Sequence, residues 1–316
     1  MQWRSLAALA ALLSAHDVAY AQQMMRFSCS KLTIERLDPL VSPGMNQSPH
    51  MHQVGGGNSF RATMMPVEYG PVKESTCTSC SFSEDFSNYW TTNLFFRAHN
   101  GTLKRVPQLV NMGLKADGGL TVYYIPPYDG KSNGFRMLVG DAMLRQAEGQ
   151  QRQLCHRCFA TVNQVPFGGA PCTGDDTASL PPQMCNGGIR TTITFPTCWD
   201  GVNVDSPDHK SHVVYPETGS FESGGHCPAS HPVKLPQLMY EIIWDTREFN
   251  DPDVWPEDGS QPFHGDYVFG WKDDTLQQLK SQTADEAMRY TLNQTVPEKY
   301  DGWLSQLPGN WTITYS

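Results

Sequence analysis

Hydrophobic and polar residues alternate over short stretches of this chain, and the pattern predicts many strands and few helices. Six β-branched or aromatic segments are bounded by turn residues, and they are residues 119–125, 189–195, 212–215, 238–244, 267–271 and 311–315. Runs of about four to eight such residues are typical of β-strands. Helical periodicity is credible only in residues 140–153 and 276–290, where apolar positions recur every three to four residues.

Glycine and proline account for 27 and 23 of the 316 residues and are spread evenly along the chain. Both residues interrupt helices and mark turns. We therefore predict a mainly β protein, a single β-sandwich or jelly-roll-like domain with long disulfide-tied loops and a few short helices. Continuity is weakest at residues 167–183, which form either a surface loop or the joint between two lobes.

The first 21 residues have the pattern of a secretory signal peptide. Arg4 supplies a positive charge, residues 6–13 form a short apolar run, and Ala19-Tyr20-Ala21 provides a small-x-small cleavage pattern. The apolar run is shorter than the roughly 18 residues of a membrane span. We therefore expect a secreted, extracellular domain of residues 22–316 without a membrane anchor.

Nine cysteines and four N-x-S/T glycosylation sequons, at Asn46, Asn100, Asn293 and Asn310, agree with an oxidising extracellular compartment. Two CxxC motifs, at residues 77–80 and 155–158, lie too far apart for a zinc ribbon. Structural disulfides are therefore favoured over a cysteine-ligated metal, and redox catalysis by the second motif is a weaker alternative.

Sequence spacing suggests two further loop disulfides, Cys172 with Cys185 and Cys198 with Cys227, although connectivity is not fixed by sequence. An odd number of cysteines leaves one unpaired, and Cys29, near the mature N-terminus, is our candidate for the free thiol.

The formal net charge of −9 and the pI near 5.5 argue against partners that need a basic surface. We expect no nucleic-acid partner, since such binding depends on clustered Lys and Arg. An acidic-to-neutral surface suits a neutral polymer such as an extracellular glycan, or a small molecule. We expect a monomer.

His50 and His52 are the first candidate site residues. On a strand, residues two apart point to the same face, so both imidazoles can converge on one ion or substrate. Residues 55–57 are three glycines, which allow close backbone approach or unusual dihedral angles. The alternative is a pair of half-exposed histidines before a flexible turn.

Residues 198–216 contain the densest group of acidic and histidine side chains. Asp200, His209 and His212 are candidates for acid–base chemistry, because a carboxylate beside an imidazole fixes its tautomer and raises its basicity. The alternative is a turn cluster whose side chains cap their own backbone. We expect that structural role for Asp205.

His264 and Asp266 flank a glycine beside aromatic residues, which adds two more catalytic candidates. Sugar rings commonly stack their apolar face on an aromatic ring, so Trp90, Trp199 and Trp271 are candidates for substrate binding. Each tryptophan also fits a core position. The common signatures G-x-S-x-G, H-E-x-x-H, G-x-G-x-x-G and the P-loop are absent from the sequence.

Several motifs follow one another along the chain, including DPLVSPGMNQSPHMHQVGGGNSF, CTSCSFSEDFSNYW, CWDGVNVDSPDHKSH and FHGDYVFGW. Together they resemble a secreted, mainly fungal family filed as domain of unknown function nineteen-ninety-six. The resemblance covers about residues 38–271. It implies secretion and a shared His/Asp pattern but no established activity. Family members accompany plant- or fungal-wall degradation, which suggests a polysaccharide substrate. This chain carries DVWPEDGSQP where the family has an SNGDPTGYG-like run.

We therefore expect a secreted carbohydrate-active enzyme, a glycoside hydrolase or polysaccharide lyase, or alternatively a non-catalytic, wall-associated glycan-binding or structural protein. His50, His52 and His209 are the candidates for proton transfer, and Trp199 and Trp271 are those for ring stacking. Six residues are predicted to line one cleft: His50, His52, Asp200, His209, His212 and His264.

A metal cofactor, zinc or copper, is a further hypothesis, since imidazole suits both ions and a catalytic site needs three protein ligands. The predicted ligands are His50 and His52, with His209 or His264 as the third. A hydrogen-bonded His/Asp network would use the same residue types without an ion, so both alternatives stay open.

Overall fold

The computed structural model describes residues 24–66, 70–109, 118–125, 134–141, 153–162, 164, 172–218, 225–249 and 263–278. The predicted signal peptide, the predicted strand 311–315, the divergent stretch before residue 263 and most of both predicted helices lie outside these ranges. Within them, no helix has the length and apolar character needed to cross a membrane.

The described residues are mainly β, as predicted. The strands are β1 (Met25–Cys29), β2 (Thr33–Glu35), β3 (His52–Gly56), β4 (Asn88–Thr92), β5 (Phe95–Arg97), β6 (Leu103–Arg105), β7 (Gln108–Leu109), β8 (Leu120–Ile125), β9 (Arg136–Gly140), β10 (Leu154–Cys158), β11 (Ile189–Thr194), β12 (Cys198–Trp199), β13 (Val213–Val214), β14 (Val233–Lys234), β15 (Gln237–Trp244) and β16 (His264–Val268). The helices are α1 (Pro71–Glu74), α2 (Thr275–Gln278) and the 3-10 turn Arg247–Phe249.

Two larger sheets carry most of the strands. One has the order β1-β8-β15-β11-β10, with β7 also paired to β15, and the other has the order β2-β3-β4-β16-β9. A three-stranded sheet, β13-β12-β14, and the β5-β6 pair complete the described topology. All pairings between these strands are antiparallel.

The two larger sheets share one hydrophobic core. Val122 and Tyr240 of the first sheet belong to the same buried cluster as Tyr89 and Tyr267 of the second, and the Tyr89 and Tyr240 rings lie 5.8 Å apart. We call this side of the five-stranded sheet its inner face. Whether the two sheets form a single sandwich or jelly roll stays a prediction.

The opposite side of the five-stranded sheet, which we call its outer face, is also buried. A separate small cluster there consists of Leu40, Val54, Met64, Trp90 and Val268. Because side chains alternate along a strand, β16 points His264 and Asp266 outward with Val268, whereas its other two residues point inward.

Gly265 explains why a glycine separates His264 from Asp266. A Cβ atom at this inward position would lie 2.8 Å from Cγ2 of Ile193 in the facing sheet. The glycine therefore lets the sheets approach closely while its two neighbours reach the outer face. The predicted strand 267–271 overlaps β16 only at its end, because polar outward residues interrupt the hydrophobic run.

The other strand predictions are confirmed in place by β8, β11, β13 and β15. The helix predicted from residue 140 is wrong at its start, since Gly140 ends strand β9 with a φ of 88°. The second predicted helix overlaps the short α2.

Four disulfides tie the strands and loops together: Cys29–Cys80, Cys155–Cys172, Cys158–Cys185 and Cys198–Cys227. The prediction for Cys198 and Cys227 is confirmed. The prediction that Cys172 pairs with Cys185 is wrong, because residues three apart on β10 point to opposite faces and each CxxC cysteine reaches a different partner.

The predicted free thiol is also wrong. Cys29 ends β1 beside Cys80 and is bonded to it, and Cys77 is the free cysteine among the described residues.

Candidate functional site

His52 and His264 are brought together by the five-stranded sheet, although 212 residues separate them. Strand β4 lies between β3 and β16, with His52 opposite Thr92 and Gly265 opposite Thr91. Both histidines therefore lie in one row on the outer face. Their side chains are fully buried, and the two Nε2 atoms are 2.9 Å apart.

Two carboxylates face the same point. The Oδ2 atom of Asp38 lies 3.7 Å from Nε2 of His52 and 3.9 Å from Nε2 of His264. The Oδ2 atom of Asp266 lies 3.3 Å from Nε2 of His264. Asp38 is 2 % exposed and Asp266 is fully buried, so both carboxyl groups are removed from water.

His50 lies on the solvent side of this group. Its ring centroid is 6.1 Å from that of His52 and 5.6 Å from that of His264, and each of the three histidines offers a ring nitrogen within 4.8 Å of the others. His50 precedes β3 and is partly exposed. We call these five residues, His50, His52, His264, Asp38 and Asp266, the His/Asp centre.

The backbone fixes the tautomer of His52. Its Nδ1 atom lies 2.9 Å from the carbonyl oxygen of Leu37, and a carbonyl only accepts hydrogen bonds, so Nδ1 carries the hydrogen. Burial lowers the pKa of His52 to about 4. The ring is therefore neutral, and its Nε2 directs a lone pair toward His264.

Burial has the opposite effect on the two carboxyl groups. It raises the pKa of Asp266 well above its ordinary value, and the negative charge of Asp38 raises it further, whereas Lys210 lowers it. The pKa of Asp38 is also raised by burial, against hydrogen bonds donated by the Val41 and Leu40 amides. Within the described ranges, neither carboxylate oxygen of Asp266 has a hydrogen-bond partner.

His209 lies beside the centre and supports the loop that carries Asp38. Its Nδ1 atom is 2.6 Å from Oδ1 of Asp205, and its Nε2 atom is 3.1 Å from the carbonyl oxygen of Leu40. Both ring nitrogens are thus engaged outside the centre. Of the two residues predicted as the third metal ligand, His264 therefore lies with His50 and His52. His209 is bonded to Asp205 and Leu40 instead.

His212 and Asp200 lie outside the centre. His212 is bonded through Nε2 to the carbonyl of Arg136 at 2.7 Å and through Nδ1 to the Ser206 hydroxyl at 2.8 Å. Asp200 accepts the amides of Val202 and Asn203, both at 2.8 Å, and so caps its own turn. Burial acts to raise the pKa of Asp200, but these hydrogen bonds outweigh it and lower the pKa.

The three candidate tryptophans differ in exposure. Trp90 and Trp271 are fully buried and offer no face to solvent. Trp199 is partly exposed, and its ring packs edge-on against Phe135 at 5.8 Å. It is therefore the one of the three that a sugar ring can reach in this structure.

Asp38 was not among the residues predicted from sequence. Its Oδ1 accepts the Leu40 and Val41 amides at 3.2 and 3.0 Å, which is the local turn that an Asp-Pro dipeptide predicts. This turn directs the Oδ2 atom of Asp38 toward the His/Asp centre. The feature of the sequence that could have identified Asp38 is its position at the start of the segment that ends in His50 and His52.

Comparison with known proteins identifies a family without an assigned activity. A family model described as "Domain of unknown function (DUF1996)" matches residues 38–271. The match begins at Asp38 and includes every other member of the His/Asp centre. No curated protein and no solved structure matches the chain.

Proposed function

We propose that this chain, which belongs to the DUF1996 family, is a secreted carbohydrate-active enzyme, a hydrolase or a lyase, that acts on a cell-wall polysaccharide at its His/Asp centre. The observation that supports the proposal is the convergence of three histidines and two carboxyl groups from distant segments onto one buried point. Buried polar groups of this kind are costly and concentrate at functional sites.

The residues of the His/Asp centre differ in their exposure to solvent. His52, His264 and Asp266 are fully buried, whereas His50 is partly exposed. A substrate outside the protein therefore meets His50 first. We assign His50 as the group that exchanges a proton with the substrate, with the buried members orienting it and adjusting its basicity.

Both reaction types need such a group. Glycoside hydrolysis requires a proton donor to the leaving oxygen and a base or nucleophile, and carboxyl groups with separated pKa values are the usual pair. A lyase requires a base for the proton next to the sugar carboxylate. Trp199, the partly exposed tryptophan, is the candidate for stacking on a sugar ring.

Secretion is supported by four disulfides, which are typical of oxidising compartments. The net charge of −9 agrees with a neutral glycan partner and disfavours nucleic acid.

The alternative is a non-catalytic, wall-associated protein that only holds a glycan. The burial of four of the five centre residues favours it, because a structural or binding role needs no group within reach of the scissile bond.

The test is incubation of the secreted protein with a panel of plant and fungal wall polysaccharides. Reducing ends report hydrolysis, and ultraviolet absorbance reports the unsaturated products of a lyase. We expect products from at least one polysaccharide, and a loss of at least about tenfold in the His50→Ala variant. The control is His226→Ala, which removes an exposed histidine. Glycan binding without products, equal in wild type and His50→Ala, would overturn the enzyme proposal and support the binding protein.

A further inference from the structure

We infer that His52, His264, Asp38 and Asp266 form a binding site for one divalent transition-metal ion, with zinc as the best match, and that His50 lies on its solvent side. This inference goes beyond the proposed activity, since it rests on the donor atoms and on no assumption about a substrate.

The donor atoms are spaced as the ligands of one metal ion are. In a tetrahedral site with metal–ligand bonds of about 2.0–2.2 Å, the ligand atoms lie about 3.3–3.6 Å from one another. Nε2 of His264 lies 2.9 Å from Nε2 of His52, 3.3 Å from Oδ2 of Asp266 and 3.9 Å from Oδ2 of Asp38. Nε2 of His52 lies 3.7 Å from Oδ2 of Asp38. These four separations bracket the expected value, and Asp38, His264 and Asp266 each offer a ligand atom within 4.8 Å of the others. An ion between the four side chains would draw His52 and Asp266 closer to each other.

The charges of the two buried carboxylates also favour a bound cation. Two carboxylates buried side by side repel each other, and their ionised forms are strongly disfavoured away from water. Asp38 is 2 % exposed and Asp266 is fully buried, so water stabilises neither carboxylate. A divalent cation between two carboxylates and two neutral imidazoles gives a site of zero net charge and removes this penalty.

Without a metal ion, the described residues leave the hydrogen bonding of the centre incomplete. With its lone pair on Nε2, His52 accepts a hydrogen bond from the Nε2–H group of His264. That single hydrogen then cannot also be directed at Asp266, whose two oxygens have no hydrogen-bond partner in the described part of the chain. A fully buried carboxyl group aimed into a cluster of metal-ligand atoms is the group that a cation would satisfy.

Neighbouring backbone groups hold the donor side chains in place, as the hydrogen-bond partners of metal ligands do in known sites. The Leu37 carbonyl fixes the His52 tautomer at 2.9 Å. The amides of Leu40 and Val41 bind Oδ1 of Asp38 and leave its Oδ2 directed inward. These contacts are what a neutral imidazole ligand and a monodentate carboxylate ligand require.

The donor set also selects the kind of ion. Two imidazoles and two carboxylates suit zinc and other divalent transition metals, whereas magnesium and calcium prefer six or more oxygen ligands. The predicted third histidine ligand, His209, is engaged by Asp205 and Leu40 instead.

The test uses the full secreted chain, purified without a histidine tag after loading with zinc. Elemental analysis should give one zinc per chain in wild type and in the exposed-site control His226→Ala. We expect loss of that zinc in His264→Gln and in Asp266→Asn, with circular dichroism showing that each variant is folded. A metal-free wild type after loading, or unchanged zinc content in both folded variants, would overturn the inference.

A second readout covers the case in which the variants do not fold. Cobalt(II) added to wild-type protein stripped of metal should give the intense visible absorption of a four-coordinate site, and zinc should abolish that absorption by competition. The weak spectrum of hydrated cobalt would contradict the site.

These results separate the two proposals. Bound zinc without products from any polysaccharide would leave the metal site standing and reject the enzyme. Products from a chelator-treated protein that also takes up no zinc on reloading would reject the metal site and leave acid–base catalysis by the same residues.

Discussion

Carboxyl groups are buried on both faces of the five-stranded sheet, and the two faces differ in the hydrogen bonds that these groups accept. On the inner face, Asp85 accepts the Ser87 amide at 3.0 Å and the Tyr89 hydroxyl at 2.7 Å. The Tyr124 hydroxyl lies 2.9 Å from the hydroxyls of both Tyr89 and Tyr267. We call these residues, with Asp85, the tyrosine cluster.

On the outer face, the carboxyl group of Asp266 is equally buried but has no hydrogen-bond partner within the described ranges. The inner cluster is satisfied by its own members, and it stabilises the fold without a ligand. Among the residues that the structure describes, no group completes the hydrogen bonding of the outer centre. A buried polar group whose hydrogen bonds are all made by its neighbours thus indicates a structural role. A buried polar group that lacks such partners indicates a bound ligand.

The largest expected effect tests the inner face. Asp85→Ala removes the acceptor of the buried Ser87 amide and of the Tyr89 hydroxyl, which keeps its contact with the Tyr124 hydroxyl. We therefore expect a loss of about 2–4 kcal/mol in the free energy of unfolding. Urea denaturation monitored by fluorescence measures it. The control Asp175→Ala removes an exposed carboxylate and should change stability by less than about 0.5 kcal/mol. Equal stabilities of the two variants would contradict a structural role for the cluster.

A second test uses pH. Burial raises the pKa of Asp85 to about 7 from an ordinary 3.8, while the surrounding Tyr89, Tyr124 and Tyr267 have raised pKa values and stay neutral. The unfolded chain then releases the proton at lower pH than the folded one, so this group's contribution is present below pH 4 and is lost toward pH 7.

The variant Asp85→Asn isolates that contribution, because the other buried titratable groups are common to both proteins. Between pH 4 and 7 the free energy of unfolding of wild type should fall relative to the variant by about 1.4 kcal/mol per pH unit, and the difference should level off above pH 7. Parallel pH profiles would show that Asp85 does not titrate in this range.

The smallest expected effect tests the outer face. In chelator-treated protein, Asp266→Leu removes a buried carboxyl group that lacks hydrogen bonds, and we expect stability to be unchanged or raised by about 1–2 kcal/mol. Urea denaturation with and without zinc measures it, and zinc should stabilise only the wild type. A loss as large as that of Asp85→Ala would remove the distinction between the two faces.

Much of the scaffold was predictable from sequence. The strands β8, β11 and β15 are rich in β-branched or aromatic residues and are buried along their whole length, so each is recognisable in the sequence. Strand β16 was displaced in the prediction because His264 and Asp266 face the outer side, and a strand with polar buried residues has no hydrophobic signature.

The candidate site was predictable in part. The motifs around His50, His52, His264 and Asp266 pointed to residues that the structure brings together. Asp38 was missed because the sequence around it predicts a turn, and Asp38 does form that turn through its Oδ1 atom. Its place in the His/Asp centre depends on its Oδ2 atom, which faces His52 and His264 on strands that are distant in sequence. Trp90 and Trp271 illustrate the converse, since the exposure of an aromatic residue is a property of the fold and not of its local sequence.

The central claim is that the outer-face centre is completed by a metal ion, and the most direct measurement is a crystal structure of zinc-loaded protein with anomalous data at the zinc edge. We predict one anomalous peak about 2.0–2.2 Å from Nε2 of His52 and of His264 and from a carboxylate oxygen of Asp38 and of Asp266. An ordered centre without a peak, in which His52 and His264 remain joined by a hydrogen bond, would contradict the account.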